Sequence, residues 1–315
     1  MMRIGLPRAL SYYDYGTLWR FFFESLGAEV IVSEPTTRAT LQIATSRSTA
    51  DLCFPAKVYI GHLLALADQV DLVFVPSLRR PAPAAIHCAK IIGLPDLARS
   101  ALPDREKILA VDVDLDKGPL ALAQAVRAAA RPLTWNPIQI ARAAQTAWNE
   151  YQERKNHRCG PLAPELAGYA SPARRSLTLG VVGHPYLLED EYVNNGLLRR
   201  LEKLQVRLVT PGGLADEVTA QGVEALTGEA YWAYAPSLIG AGMHLLESGG
   251  IDGLLAAIAF GCAPDSGLAP ILSEAARRKR VPMLTLTLDE HSGEAGLMTR
   301  LEAFVDMLER VRLPR

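Results

Sequence analysis

Ile251–Gly267 reads IDGLLAAIAFGCAPDSG. The run from Ile251 to Gly261 is strongly apolar and drives straight into Cys262. It predicts a strand that delivers a thiol at its carboxyl end, where a proline, a carboxylate and a hydroxyl follow at once. Beyond it, GLAPILSEAARRKR has helical spacing, VPMLTLTL reads as a strand and EAGLMTRLEAFVDMLERVRL as a closing helix. On the other side, LTLGVVGHPY reads as a strand entering a loop, NNGLLRRLEKLQ as a helix, VRLVTP as a strand and SLIGAGMHLLESGG as a helix. Strand and helix alternate, which is the pattern of a parallel sheet with crossover helices.

The first half repeats the rhythm without a clear sequence repeat. RIGLP is a short strand, and SYYDYGTLWRFFFESLG is a helix closed by Gly27 as its C-cap. AEVIVS, VDLVFVPS and REKILAVDVD are further strands, and TADLCFPAKVYIGHLLALAD is a loop opening into a helix. Two alanine-rich helical stretches follow, PLALAQAVRAAARPL and NPIQIARAAQTAWNEYQERKNHR, the second with Asn136 and Pro137 as N-cap and N1. The Pro- and Gly-rich stretch CGPLAPELAGYASPARRS reads as a linker. The expectation is an α/β chain of two Rossmann- or flavodoxin-like parallel-sheet units with a helical connection. The N-terminal unit with its helical extension spans 1–165, and the C-terminal unit spans 166–315.

Composition agrees. The 315 residues are 49% hydrophobic and 21% charged with a formal net charge of −1, which fits a soluble globular protein with full cores and argues against nucleic-acid or anionic-membrane partners. No apolar run suffices for a span, and MMRIGLPRAL lacks a signal-peptide pattern, so a cytoplasmic location is expected.

Four cysteines are present, Cys53, Cys88, Cys159 and Cys262, with no C-x-x-C pair among them. Counting alone reads them as small buried hydrophobes. Position suggests another reading. In open α/β sheets, ligands bind beyond the carboxyl ends of strands. Pro7-Arg8, His184-Pro185-Tyr186, Cys262 and Asp289-Glu290-His291 all fall there, Cys88 lies in the loop after LVFVPS, and Cys53 precedes a helix. Convergent thiols in a reducing compartment suit soft metals or an iron–sulfur cluster. A proline two residues after Cys53 and Cys262 stiffens each loop and removes one backbone donor, leaving neighbouring N–H groups to face the sulfurs.

Five stretches together resemble the 2-hydroxyacyl-CoA dehydratase superfamily, and within it the stand-alone activase-related branch. They are CFPAKVYIGH (Cys53–His62), HCAKIIGLPDL (His87–Leu97), GHPYLLEDEYVNNGLLRRL (Gly183–Leu201), FGCAPDS (Phe260–Ser266) and LDEHSGEAGLMTRLEAFVDML (Leu288–Leu308). The resemblance begins at IGLPRALSYYDYG and weakens between Pro119 and Ser176. It implies one 4Fe–4S cluster, or a larger linked cluster, held by Cys53, Cys88 and Cys262, with Cys159 a non-ligand. It also implies low-potential electrons from an ATP-dependent iron–sulfur activator, used for reductive or dehydratase-like chemistry on a small substrate such as a CoA thioester. A homodimer or heterodimer is in keeping with paired relatives. The chain departs from the family at Ala89, where proline usually follows the second cysteine. Two other roles remain open: a non-catalytic electron-transfer or cluster-carrying subunit, and a small-molecule binding protein on the same scaffold.

Several polar residues have two readings each. His291 and Glu294, with Asp289 and Glu290, serve substrate binding or proton transfer, or else belong to a helix start capped by Ser292. His184 with Tyr186 enters a cleft or forms a turn. His62 faces a cluster or packs, with packing preferred. Lys57 and Lys90 offset cluster charge or face solvent. Asp265 and Ser266 hydrogen-bond the Cys262 loop or cap the next helix, with the cap preferred.

Overall fold

The computed structural model describes residues 1–80, 86–158, 177–213 and 234–312. The expected linker, with Cys159, lies outside them, as does the expected boundary at residue 165. The chain divides into two compact units, the first ending at Arg154.

In the first unit, β1 (Arg3–Leu6), β2 (Glu29–Val32), β3 (Leu72–Arg80) and β4 (Ile108–Asp114) form an all-parallel sheet of order β2-β1-β3-β4. Strand β1 is therefore flanked by β2 and β3. The chain leaves it toward β2 through α1 (Tyr12–Ser25) and returns to its other side through α2 (Arg38–Arg47) and α3 (Phe54–Ala67). The β1/β3 junction is the topological switch point. One core joins Ile4, Leu6, Phe74 and Val111 of the sheet to Phe22 and Phe23 of α1, Ala125 and Ala129 of α6 (Pro119–Ala130), and Ile140 and Ala143 of α7 (Pro137–Arg158). Helix α3 packs on β1 and β3. Short helices α4 (Ala89–Ile92) and α5 (Leu94–Ala101) follow β3 and pack against it.

The second unit has the same order. Strands β5 (Thr178–Val182), β6 (Arg207–Val209), β7 (Gly253–Ala259) and β8 (Met283–Leu288) run parallel as β6-β5-β7-β8. Its described helices are α8 (Pro185–Leu188), α9 (Leu197–Lys203), α10 (Tyr234–Glu247), α11 (Ala263–Lys279) and α12 (Glu294–Arg312). Six of the seven β7 residues are buried, as expected of a central strand in a parallel sheet covered on both faces. Gly242 of α10 lets Leu272 of α11 approach so closely that a Cβ would stand 2.5 Å from its Cδ2.

The α/β class of two parallel-sheet units is therefore correct. Gly27 takes the left-handed conformation expected of a residue closing α1, with φ +84°. Asn136 caps α7, its Oδ1 accepting from Ile138 N at 3.0 Å. Three details differ. Helix α11 begins at Ala263 rather than near Gly267, so Asp265 and Ser266 lie inside its first turn and Cys262 is the N-cap. Proline is compatible with a first helical turn, whose leading N–H groups have no intrahelical acceptor, so Pro264 is no barrier. Ser292 does not cap α12; its hydroxyl donates to Asp289 Oδ1 at 2.8 Å, and Gly293 O accepts from Leu297 N. Helix α2, polar in composition and opened by a Thr37–Thr40 capping box, was not expected, nor were the short helices α4 and α5.

Candidate functional site

Cys53 and Cys88 occupy the same local structure in the first unit. Each is the N-cap of a helix, α3 and α4, with extended backbone at φ −60°, ψ 147° and φ −64°, ψ 157°. Neither side chain makes a capping hydrogen bond, and both thiols are free. Each residue's carbonyl accepts two amides of its own first turn: Ala56 and Lys57 for Cys53, Ile91 and Ile92 for Cys88. Pro55 sits where an amide would have been unpaired.

Cys88 acts on Cys53. Burial raises the Cys53 thiol above its ordinary pKa, the Ala56 amide lowers it, Cys88 raises it again and Lys90 lowers it. Lys57, read from the sequence as either cluster-facing or solvated, is buried, with Nζ donating to Ala50 O at 3.0 Å. His62 is structural. Ser33 Oγ lies 2.9 Å from its Nδ1 and Thr36 Oγ1 2.9 Å from its Nε2. The Arg8 amide donates to Ser33 Oγ at 2.8 Å. The Ser33 hydroxyl therefore bridges the Arg8 amide and the imidazole, and both ring nitrogens are paired within the fold. Packing, the preferred reading of His62, holds.

In the second unit, the switch point between β5 and β7 gathers a different set. His184 follows β5 and is the N-cap of α8; Cys262 follows β7 and is the N-cap of α11. Asp265, in the first turn of α11, is fully buried. Its Oδ2 accepts the Ala259 amide at 2.7 Å, and its Oδ1 lies 2.8 Å from His184 Nε2. The ligand atoms of His184, Cys262 and Asp265 all lie within 4.8 Å of one another. The Tyr186 ring stacks on His184 at 4.8 Å between centroids, with its hydroxyl 3.9 Å from Cys262 Sγ. Ser266 Oγ donates to Cys262 O at 2.9 Å, which fixes the first turn. Asp265 is thus a loop partner of the cysteine rather than a cap, and the preferred sequence reading is corrected. The chain after α8 is held by Asn194, whose Nδ2 donates to Leu187 O and Leu188 O at 2.8 and 2.9 Å and whose Oδ1 accepts the Leu197 amide at 3.0 Å.

His291 and Glu294 stand apart from that cluster's contacts. Both are exposed, His291 in the turn after β8 and Glu294 at the start of α12. The His291 amide donates to Asp289 Oδ1 at 2.9 Å, and Glu294 pairs with Arg200 of α9 at 2.7 Å. The residues the sequence did not single out for this chemistry are Asp265 as a neighbour of His184 and Tyr186 as a neighbour of Cys262. The signal for Asp265 is its three-residue spacing from Cys262, which in a helix starting at Ala263 turns a carboxylate back toward the N-cap.

Both units are thus four-stranded parallel α/β sheets, with cysteine or histidine at the N-caps of four of their helices. Residues 3–213 match the family model described as the CoA enzyme activase uncharacterised domain (DUF2229), and the chain belongs to that family. This relates it to the acyl-CoA dehydratase activases, neighbours of the 2-hydroxyacyl-CoA dehydratase superfamily. The matched region contains Cys53, Cys88 and His184 and ends before Cys262. No curated protein matches the chain. No helix among the described residues is long and apolar enough to cross a membrane.

Proposed function

We propose that the chain is an iron–sulfur protein of a CoA-enzyme activation system, with a 4Fe–4S cluster held by Cys53, Cys88 and Cys262. The observation that carries this reading is the matched pair of N-cap cysteines in the first unit. Both are free of disulfides, and burial, with Cys88 nearby, raises the Cys53 thiol, so binding iron removes a proton that the fold otherwise keeps on Cys53. The cluster supplies a one-electron carrier of low potential. Around it the chain's own groups act electrostatically. The Ala56 amide and Lys90 favour negative charge on Cys53. An ATP-dependent iron–sulfur activator is the electron donor, and the electron serves reductive or dehydratase-like chemistry on a small, CoA-linked substrate.

Membership of an activase family favours a second reading of the same cluster, as an electron carrier acting on a CoA enzyme. The two readings part at one measurement. A catalytic cluster changes its EPR spectrum when an acyl-CoA is added to the reduced protein; a carrier does not.

The experiment for the cluster itself is iron and acid-labile sulfide analysis after anaerobic purification, with EPR of the dithionite-reduced protein. About four irons per chain are expected. They are depleted in Cys53→Ser, Cys88→Ser and Cys262→Ser and retained in Cys159→Ser. An iron-free protein after anaerobic reconstitution would refute the reading.

A further inference from the structure

We infer that, in the chain without a cluster, Cys262, His184 and Asp265 bind a single borderline-soft divalent cation such as Zn2+ or Fe2+ within the second unit. Three features carry this. The ligand atoms already lie within 4.8 Å of one another, although they come from the ends of two different strands. All three residues are at least nine-tenths buried, at 7%, 1% and 0% exposure. The third feature is Asp265 Oδ1, which stands 2.8 Å from His184 Nε2 yet accepts no hydrogen bond. A carboxylate oxygen at that separation without donor alignment is placed as a ligand is placed beside a ligand, both aimed at a common point.

The charge balance agrees. A thiolate and a carboxylate together neutralise a divalent ion, and neutral imidazole completes the donor set, so a buried site carries no net charge. Binding releases the Cys262 thiol proton to solvent. The mixture of sulfur, nitrogen and oxygen donors suits Zn2+, Co2+ or Fe2+ rather than Mg2+ or Ca2+. The supporting groups are present as well. The Ala259 amide anchors Asp265 Oδ2, and Tyr186 stacks on the imidazole. Three protein ligands leave a fourth position for water or an exchanging group.

This inference does not rest on the cluster reading, but the two share Cys262 and therefore compete. The ion belongs to the cluster-free chain, and assembly of the cluster takes the thiolate away from it.

The test is a Co2+ titration of the full chain after aerobic purification and chelation, followed by its thiolate-to-cobalt charge-transfer absorption. One equivalent is expected to bind and to be displaced by Zn2+. The charge-transfer band disappears in Cys262→Ser. Affinity falls more than about 100-fold in His184→Ala and Asp265→Ala, beyond the loss that a merely supporting residue brings. Tyr186→Phe costs about tenfold. Cys53→Ser and Cys88→Ser bind like the parent. His184→Cys keeps the site and strengthens the charge-transfer band, which guards against misreading an unfolded alanine variant. Absence of a one-equivalent complex, or a band that survives Cys262→Ser and ignores His184→Cys, overturns the inference. Iron and sulfide content is read separately. A cobalt band persisting in fully cluster-loaded protein removes Cys262 from the cluster and leaves the single-ion site standing.

Discussion

His62 is a buried titratable side chain with hydroxyl partners on both ring nitrogens. Both ring nitrogens face hydroxyls, and burial, then Arg8, lowers its pKa from 6.5 to about 4. The folded state therefore binds the proton more weakly than the unfolded chain does. Stability from this group is fully present above pH 6.5 and is lost as pH falls toward about 4. The loss approaches about 3 kcal/mol at the acid end. Urea unfolding at pH 7 and pH 5 should show a steeper acid loss for the parent than for His62→Gln, which cannot titrate. Equal slopes would mean that the imidazole is protonated in the fold. Ser33 Oγ meets both Nδ1 and the Arg8 amide, so Ser33→Ala strands the two together, at about 1–3 kcal/mol, read as a lower urea midpoint at pH 7. Neither His62 nor its partners could be connected from sequence, because Ser33 and Thr36 lie more than 25 residues away along the chain. The placing of Cys53, Cys88, Cys262 and His184 in loops beside strands and helices was readable for a simpler reason. Each stands at the boundary between an apolar run and a proline or helix start, and such boundaries are local.

Helices and strands divided differently between legible and hidden. The eight described strands were readable as apolar runs ended by turns, and the central ones most clearly, because a buried parallel strand such as β7 has no polar face to obscure it. Helices α2, α4 and α5 were not. The first is polar and is defined by its Thr37 cap, and the other two are too short for a periodic signal. The start of α11 was misplaced because Pro264 signals both a loop and a first helical turn. Close packing between elements was hidden too. Gly61 of α3 faces α2 so tightly that a Cβ would lie 2.4 Å from the Thr40 carbonyl oxygen. Alanine in a helix ordinarily gains about 0.5–1 kcal/mol over glycine. Here the obstructing atom is backbone and cannot swing aside, so Gly61→Ala should destabilise by about 1–3 kcal/mol. A thermal melt of the variant above that of the parent would show that α2 yields instead.

At the scale of the molecule, the two halves share a strand–helix rhythm in sequence and an identical strand order in structure, with no readable repeat between them. The match lies in topology, which fixes which loops lie at which strand ends without fixing residue types. Strand β3 corresponds in order to β7, so Cys88 and Cys262 stand in equivalent places, each opening the helix that follows the third strand of its sheet. Strand β5 corresponds to β1, so His184 stands where Pro7 and Arg8 stand in the first unit. The linker between the halves falls outside the described residues.

The N-cap placement of the cysteines has a practical consequence for any assay that replaces them. A thiol is a poor cap, whereas serine is among the best, and the N3 amide of α3, from Ala56, already acts on Cys53. Serine at position 53 or 262 therefore trades a metal ligand for a helix-stabilising hydroxyl. In metal-free protein, Cys53→Ser and Cys262→Ser should melt above the matching alanine variants by the equivalent of about 1 kcal/mol, and a serine variant that melts no higher than its alanine counterpart would show that the hydroxyl does not reach the amide. Serine variants stripped of iron or cobalt would then be sturdier scaffolds than their alanine counterparts, and an empty site in them would report lost coordination in a folded chain.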